Sequence, residues 1–105
     1  MAKDERLEYM EFGEALYWAK KGFKIARKGW NGKGRWVSYT DERVLDLDVH
    51  KIWTEPIKQV AEANGGKVKI RSYFNLKTID NEIQIGWIPS ASDILAKDWY
   101  VVWVQ

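Results

Sequence analysis

Eight residues, Arg27-Lys28-Gly29-Trp30-Asn31-Gly32-Lys33-Gly34, bring together three cations, three glycines, an indole and an amide. Glycines let backbone N–H groups approach an anion closely and take φ > 0 without steric cost. Lys28 and Lys33 add positive charge, and Trp30 offers a flat apolar face. A ligand that joins phosphate to a base or ribose suits such a mixture. A plainer reading stands beside it, because Asn31-Gly32 is also the strongest short signal for a two-residue hairpin turn. Trp30 would then be a core residue at a strand end and the lysines a solvated rim. The two readings are compatible.

A second group of candidates lies further on. Lys69, Arg71, Tyr73, Asn75 and Lys77 alternate with Val68, Ile70, Ser72, Phe74 and Leu76, which gives a strand one polar face fit to be a ligand floor. With Arg27, Lys28 and Lys33, the cations of that face are candidates for phosphate. Trp30, Tyr73 and Trp87 are candidates for stacking on a base. Lysines on a strand also serve as a solvated face or as edge protection, and Trp87, on the apolar side of its strand, also reads as core. Ser90, Ser92 and Asp93 have the spacing of a helix cap, and a capped helix N-terminus presents N–H groups to an anion.

Catalysis finds little support. The chain has one histidine, His50, and no cysteine, so thiol nucleophiles, disulfides and zinc–thiolate sites are excluded. Asp46 and Asp48, two apart on a short strand, could face a metal, but exposed alternation explains them more simply. No placed carboxylate pair or metal-ligand spacing marks a phosphodiesterase or glycosidase. The expectation is a binding protein, not an enzyme, with no metal and no cofactor.

Seventeen basic and fifteen acidic residues in 105 leave a net charge of +2, which lacks the basic stripe of a duplex-DNA binder. No apolar run approaches the roughly 18 residues of a membrane span, so a cytoplasmic protein is expected. Seven tryptophans are more than a core of this size covers easily. Trp18, Trp53, Tyr100 and Trp103 are therefore expected at contacts with other copies of the chain.

The elements that must position these residues follow from periodicity. Residues 1–10 read as a flexible N-terminus and 11–105 as a single domain. Phe12, Ala15, Leu16 and Ala19 recur at helical spacing, with Glu11 and Glu14 early, Lys20 and Lys21 late and Gly22 as a stop, predicting a helix from Glu11 to Lys21. Phe23–Lys28 and Arg35–Tyr39 read as two strands joined by the glycine loop. The 41–66 stretch reads as a variable insertion, with a short strand at Val44–Val49 and a brief helix at Glu55–Ala63 ended by Asn64-Gly65-Gly66. Lys67–Ile88 reads as one long hairpin turning at Asp80-Asn81, followed by a helical turn after Ser90. A last strand from Trp99 is apolar on both faces, hence central in the sheet or covered by another subunit. The fold class is α+β: one N-terminal helix packed on a twisted antiparallel sheet, with a short C-terminal helical turn.

Four motifs in order carry a family resemblance: FGEAL at Phe12–Leu16, ARKGWNGKG at Ala26–Gly34, LKT-x-D-N at Leu76–Asn81, and W-x-x-S-x-x-DILAKDW ending at Asp93–Trp99. Together the sequence resembles the Thoeris anti-defence 2 family over about Glu11–Gly34 and Lys69–Val102. The resemblance implies a phage protein, acting in the cytoplasm of an infected bacterial host, that sequesters a cyclic nucleotide immune signal without cleaving it and so blocks effector activation. It implies glyco-cyclic ADP-ribose as the type of signal, with cyclic dinucleotides in some relatives, and a homotetramer with pockets between subunits. Carried over residue by residue, the motif positions are Trp30, Asn31, Lys77, Thr78, Trp87, Ser90, Ser92 and Asp93; the residues' own reading adds Lys33, Tyr73 and Asn75. Where many relatives have histidine and aspartate before the Lys-Thr pair, this chain has Tyr73 and Asn75, and Gly86 stands where many have proline. A single-stranded nucleic-acid or protein interaction module is the alternative that tryptophans beside cations leave open.

Overall fold

The computed structural model describes residues 7–30 and 34–103. Asn31, Gly32 and Lys33, two of them candidate site residues, lie outside the described residues. The chain divides into two compact units, one formed by the residues up to Thr40 and from Tyr73 onward, the other by Asp41–Ser72.

In the first unit, α1 (Phe12–Lys20) packs on an antiparallel sheet of β1 (Lys24–Arg27), β2 (Trp36–Thr40), β5 (Tyr73–Lys77), β6 (Ile83–Trp87) and β7 (Trp99–Val102), in the order β6-β5-β2-β1-β7. A short α3 (Ala91–Leu95) precedes β7. The fold is α+β, as the residue patterns predict. Helix α1 begins where Glu14 turns back to accept the Glu11 N–H at 3.2 Å. It ends at Gly22, whose φ of +99° lets two closing bonds form, Gly22 N–H to Ala19 O (3.0 Å) and Phe23 N–H to Trp18 O (3.2 Å). Phe23 then lies edge-on to Trp18 at 5.5 Å, so the helix stop also seals the end of the core.

That core is Leu7, Met10, Ala15, Ala19, Ile25, Val37, Trp99 and Val101, with Phe12, Tyr39, Phe74, Leu76 and Trp87 packed against it. Phe74 and Leu76 face it, so strand alternation turns Tyr73, Asn75 and Lys77 to the opposite side of the sheet. The register agrees, pairing Asn75 with Ser38 and Tyr73 with Thr40 on β2.

Several expectations need correction. The segment expected as a flexible N-terminus has its end built into the fold: Leu7 and Met10 are buried, and Met10 exchanges two backbone bonds with Trp99, at 2.8 and 3.1 Å. Strand β7 is the last strand of the sheet, with β1 as its one strand neighbour and the Met10 bridge at Trp99 on its other side; of the two expected placements, central or covered by another subunit, the central one does not hold. Trp18 and Trp103 pack against their own core, and among the described tryptophans only Trp53 is exposed, at 67%. The long strand expected from Lys67 is two strands. β4 (Lys67–Ile70) pairs with β3 (Arg43–Asp46), whereas β5 pairs with β2 and β6. In the first unit Thr40 lies opposite Tyr73, and in the second Arg43 lies opposite Ile70. Side-chain alternation survives such a change of partner and cannot reveal it.

The second unit adds α2 (Glu55–Ala63) to the β3–β4 pair, with Leu45 and Ala61 buried. Pro56 in the first turn starts the helix where its missing N–H costs nothing. Gly65 and Gly66, both at positive φ, end it. Residues 47–50 form a turn, not strand: His50 Nδ1 accepts the Asp46 N–H at 2.9 Å and the Asp46 carboxylate accepts the Asp48 N–H at 2.9 Å. No helix of the described residues is long and apolar enough to cross a membrane.

Gly22 has open space around an added Cβ, so Gly22→Ala should cost only the left-handed backbone penalty, about 1–2 kcal/mol. A urea titration should show a lower midpoint with an unchanged slope; an unshifted midpoint would mean that the helix stop does not need this conformation.

Candidate functional site

The glycine loop is pinned where it leaves β1. Arg27, opposite Trp99 in the β1–β7 register, sends its guanidinium to two carboxylates, with Nε donating to Asp98 Oδ1 at 2.9 Å and Nη1 to Asp93 Oδ1 at 2.8 Å. Asp98 continues into the loop: its Oδ2 accepts the Gly29 N–H at 2.8 Å and its carbonyl accepts the Lys28 N–H at 3.0 Å. A Cβ on residue 29 would stand 2.7 Å from that Oδ2, so glycine is what allows the carboxylate to lie on the chain.

Asp93 is saturated. Besides Arg27, its Oδ1 accepts the Trp30 indole N–H at 3.1 Å, while Oδ2 accepts the Ser90 N–H (3.0 Å) and hydroxyl (2.9 Å). Ser90 Oγ in turn accepts the Asp93 N–H at 3.1 Å, completing the capping box of α3. Burial pushes the Asp93 carboxyl up, but the Ser90 N–H, Arg27, Trp30 and the Ser90 hydroxyl outweigh it and hold the group below the usual carboxylate range. Asp98 is likewise lowered, burial being outweighed by Arg27 and the Gly29 N–H. Arg27 is raised, chiefly by its bond to Asp98.

Trp30 is thereby fixed half-buried. Its ring meets Trp99 edge-on at 5.3 Å and Trp87 at 6.0 Å, and the Arg35 guanidinium lies over it, 5.6 Å from the ring centroid. Most neighbouring cations are otherwise engaged. Lys28 pairs with Glu8 at 2.8 Å between the rings of Tyr9 and Tyr100, and Lys77 donates to Gly34 O at 2.7 Å. The phosphate candidates Arg27 and Lys28 are thus held by carboxylates.

The candidate residues fall into two groups. Trp30, Trp87, Ser90 and Asp93 are in contact on the core side of the sheet, and Ser92 is exposed on α3. Tyr73, Asn75 and Lys77 occupy the opposite face, where Asn75 Nδ2 donates to Thr40 Oγ1 at 2.7 Å and Ser38 Oγ at 3.3 Å. The Lys77 bond to Gly34 ties that face to the loop. Thr78 is elsewhere again, its hydroxyl accepting the Asp80 and Glu82 N–H groups in the β5–β6 turn. Lys69 belongs to the second unit and pairs with Glu42 at 3.1 Å. Gly86, at φ +85°, is the extra residue of a bulge opposite Phe74 and Asn75; a proline, fixed near φ −65°, cannot adopt it. Two residues that the sequence patterns did not single out are Asp98 and Arg35. The DILAKDW motif spaces Asp93 and Asp98 around a short helix, which was the available signal for a clamp; nothing local marks Arg35.

A small α+β domain whose first hairpin loop is stapled to a helix–strand corner by one arginine and two aspartates is the class of protein described so far. The Thoeris anti-defense 2-like domain matches residues 10–102. A protein of Bacillus phage SP01 named Thoeris anti-defense 2 is 36% identical over 93 residues, covering 89% of this chain and 94% of that protein. The chain belongs to the Thoeris anti-defense 2-like family, and its membership supports a phage anti-defence role.

The clamp has a pH signature. Asp93 and Asp98 are lowered in the folded chain, so on acidification the unfolded chain binds protons first. Their contribution is complete above the ordinary aspartate value of about 3.9 and is lost as pH falls through the folded values. Asp98→Asn should lower the urea midpoint at pH 7 and converge on wild type in acid. Parallel curves across the acid limb would show that the carboxylate does not titrate with unfolding.

Proposed function

We propose that the chain is a sponge: it binds a cyclic nucleotide immune signal, holds it intact and so keeps it from its effector. The signal is of the glyco-cyclic ADP-ribose type, with cyclic dinucleotides as the second class. What carries this reading is the state of Trp30, an aromatic plate fixed through its own N–H and left half-exposed beside a cation at a glycine loop. Stacking contributes roughly 1–3 kcal/mol per base, while a nanomolar complex needs about 12 kcal/mol. Phosphate and ribose contacts must supply the balance, and Asn31, Lys33, Tyr73, Asn75, Lys77 and Ser92 are the groups we assign to them. Thr78, Ser90 and Asp93, with their internal bonds, serve by shaping the loop and its surroundings.

Assembly follows from the division of these groups. Trp30 and Tyr73 lie on opposite sides of one sheet, so one chain does not close both on one small ligand. A homotetramer with pockets between subunits brings the open face of one copy to the loop of another, and Ile83 and Ile85, exposed at 54% and 67% on that open face, favour its burial. The family supports the non-catalytic character, and the bonding of His50 within an exposed turn agrees with it.

Glyco-cyclic ADP-ribose incubated with the protein and recovered by denaturation should be unchanged; a cleaved product would sink the sponge. Trp30→Ala should weaken its binding by about tenfold or more, the loss of one stacking contact, and light scattering should give the mass of four chains. Tighter, steeply salt-sensitive binding of a linear oligonucleotide than of any cyclic nucleotide would favour the single-strand module instead.

A further inference from the structure

The Arg35 guanidinium covers the Trp30 ring, 5.6 Å from its centroid, and no carboxylate pairs with it among the described residues. Every other part of that contact is anchored. Trp30 is held by its indole N–H on Asp93, and the chain beside Arg35 is held by the Lys77 bond to the Gly34 carbonyl. Among the described residues, the Arg35 side chain can leave without breaking a hydrogen bond. Among protein cations, guanidinium is also the one that both stacks on aromatic faces and forks onto phosphate oxygens.

We infer that Arg35 is a placeholder and a specificity residue for an anionic purine nucleotide: it shields the Trp30 face in the free protein, yields that face to the purine, and turns onto the phosphate of the same ligand. The inference rests on the signal-binding reading of Trp30 given above. It adds a selection rule, because a neutral nucleoside must displace the guanidinium without giving it a new partner. A purine nucleotide supplies one. Arg27, bound to Asp98 and Asp93, and Lys28, bound to Glu8, lack this freedom.

The test follows indole N–H and arginine side-chain resonances by NMR while the full chain is titrated with ADP-ribose and, separately, with adenosine. In the free protein the Arg35 Cδ protons should lie upfield under the indole ring current and return to ordinary positions at saturation with ADP-ribose. Arg35→Gln should weaken ADP-ribose by about ten- to hundredfold, the loss of one charge-assisted contact, and leave adenosine bound as well as before or better. Arg35→Lys should recover part of the ADP-ribose affinity. Equal losses for both probes, no loss for ADP-ribose, or Arg35 protons that stay upfield in the complex would overturn the exchange; if Trp30→Ala still abolishes binding, the signal-binding reading survives that failure. ADP-ribose binding that Trp30→Ala leaves unchanged, or no binding of ADP-ribose to wild type, would likewise overturn the exchange; the signal-binding reading itself falls only if wild type also fails to bind glyco-cyclic ADP-ribose and the cyclic dinucleotides.

Discussion

A half-buried guanidinium between two aspartates holds the most elaborately bonded part of this protein together. Arg27 comes from the end of β1, Asp93 from the first turn of α3 and Asp98 from the position just before β7. Neither carboxylate would be tolerable so close to the other and to the core without a cation, and arginine is suited because its planar fork serves both at once. The dependencies run outward from there. Asp98 reaches Gly29 only because that residue has no Cβ, and Asp93 fixes both the indole of Trp30 and the first turn of α3. Five residues of helix are too few to hold themselves; α3 persists because its cap is also the clamp. Removing one partner of such a group leaves a charge with poor solvation, at a cost of about 3–5 kcal/mol when burial is complete and less here, where each side chain keeps some access to water.

Local chemistry was legible and distant pairing was not. Glu11 and Gly22 bracket α1, Pro56 and Gly65-Gly66 bracket α2, and Ser90 with Asp93 makes the capping box that its spacing announces. Each rests on residues within about one turn of one another. Alternation, by contrast, says which side chains share a face and nothing about which strand is the neighbour. The run from Val68 to Leu76 therefore reads as one strand although it pairs in two sheets, and the two apolar faces of β7 do not tell a central strand from one at an edge. Tryptophan count misleads for a related reason. Trp18 and Trp103 are absorbed by edge-on contacts with Phe23, at 5.5 and 5.4 Å, and ring-to-ring packing covers more indole than area alone suggests.

The candidate site divides along the same line. Trp30 is conspicuous by its company of glycines and lysines, and the structure keeps it as an oriented, half-exposed plate. Asp93, which takes its indole N–H, lies 63 positions away in sequence, and the bonds that pin the loop span 66 to 71 positions, beyond any periodicity. Arg27 and Lys28 look like phosphate ligands in a list of cations. In the fold they are structural, because a cation beside a carboxylate at 2.8 Å has its partner already.

The clamp also bears on the proposal that the chain holds its ligand intact. Opening a pyrophosphate or a glycosidic bond calls for a general base or acid whose affinity for a proton is near neutral. The two carboxylates nearest Trp30 are driven the other way, below the ordinary range, by the donors that crowd them. Each oxygen of Asp93 accepts two hydrogen bonds, which leaves its proton affinity low and its lone pairs committed. The interaction that fixes the aromatic plate in space thus draws the proton affinity of Asp93 and Asp98 away from the range a general acid or base needs.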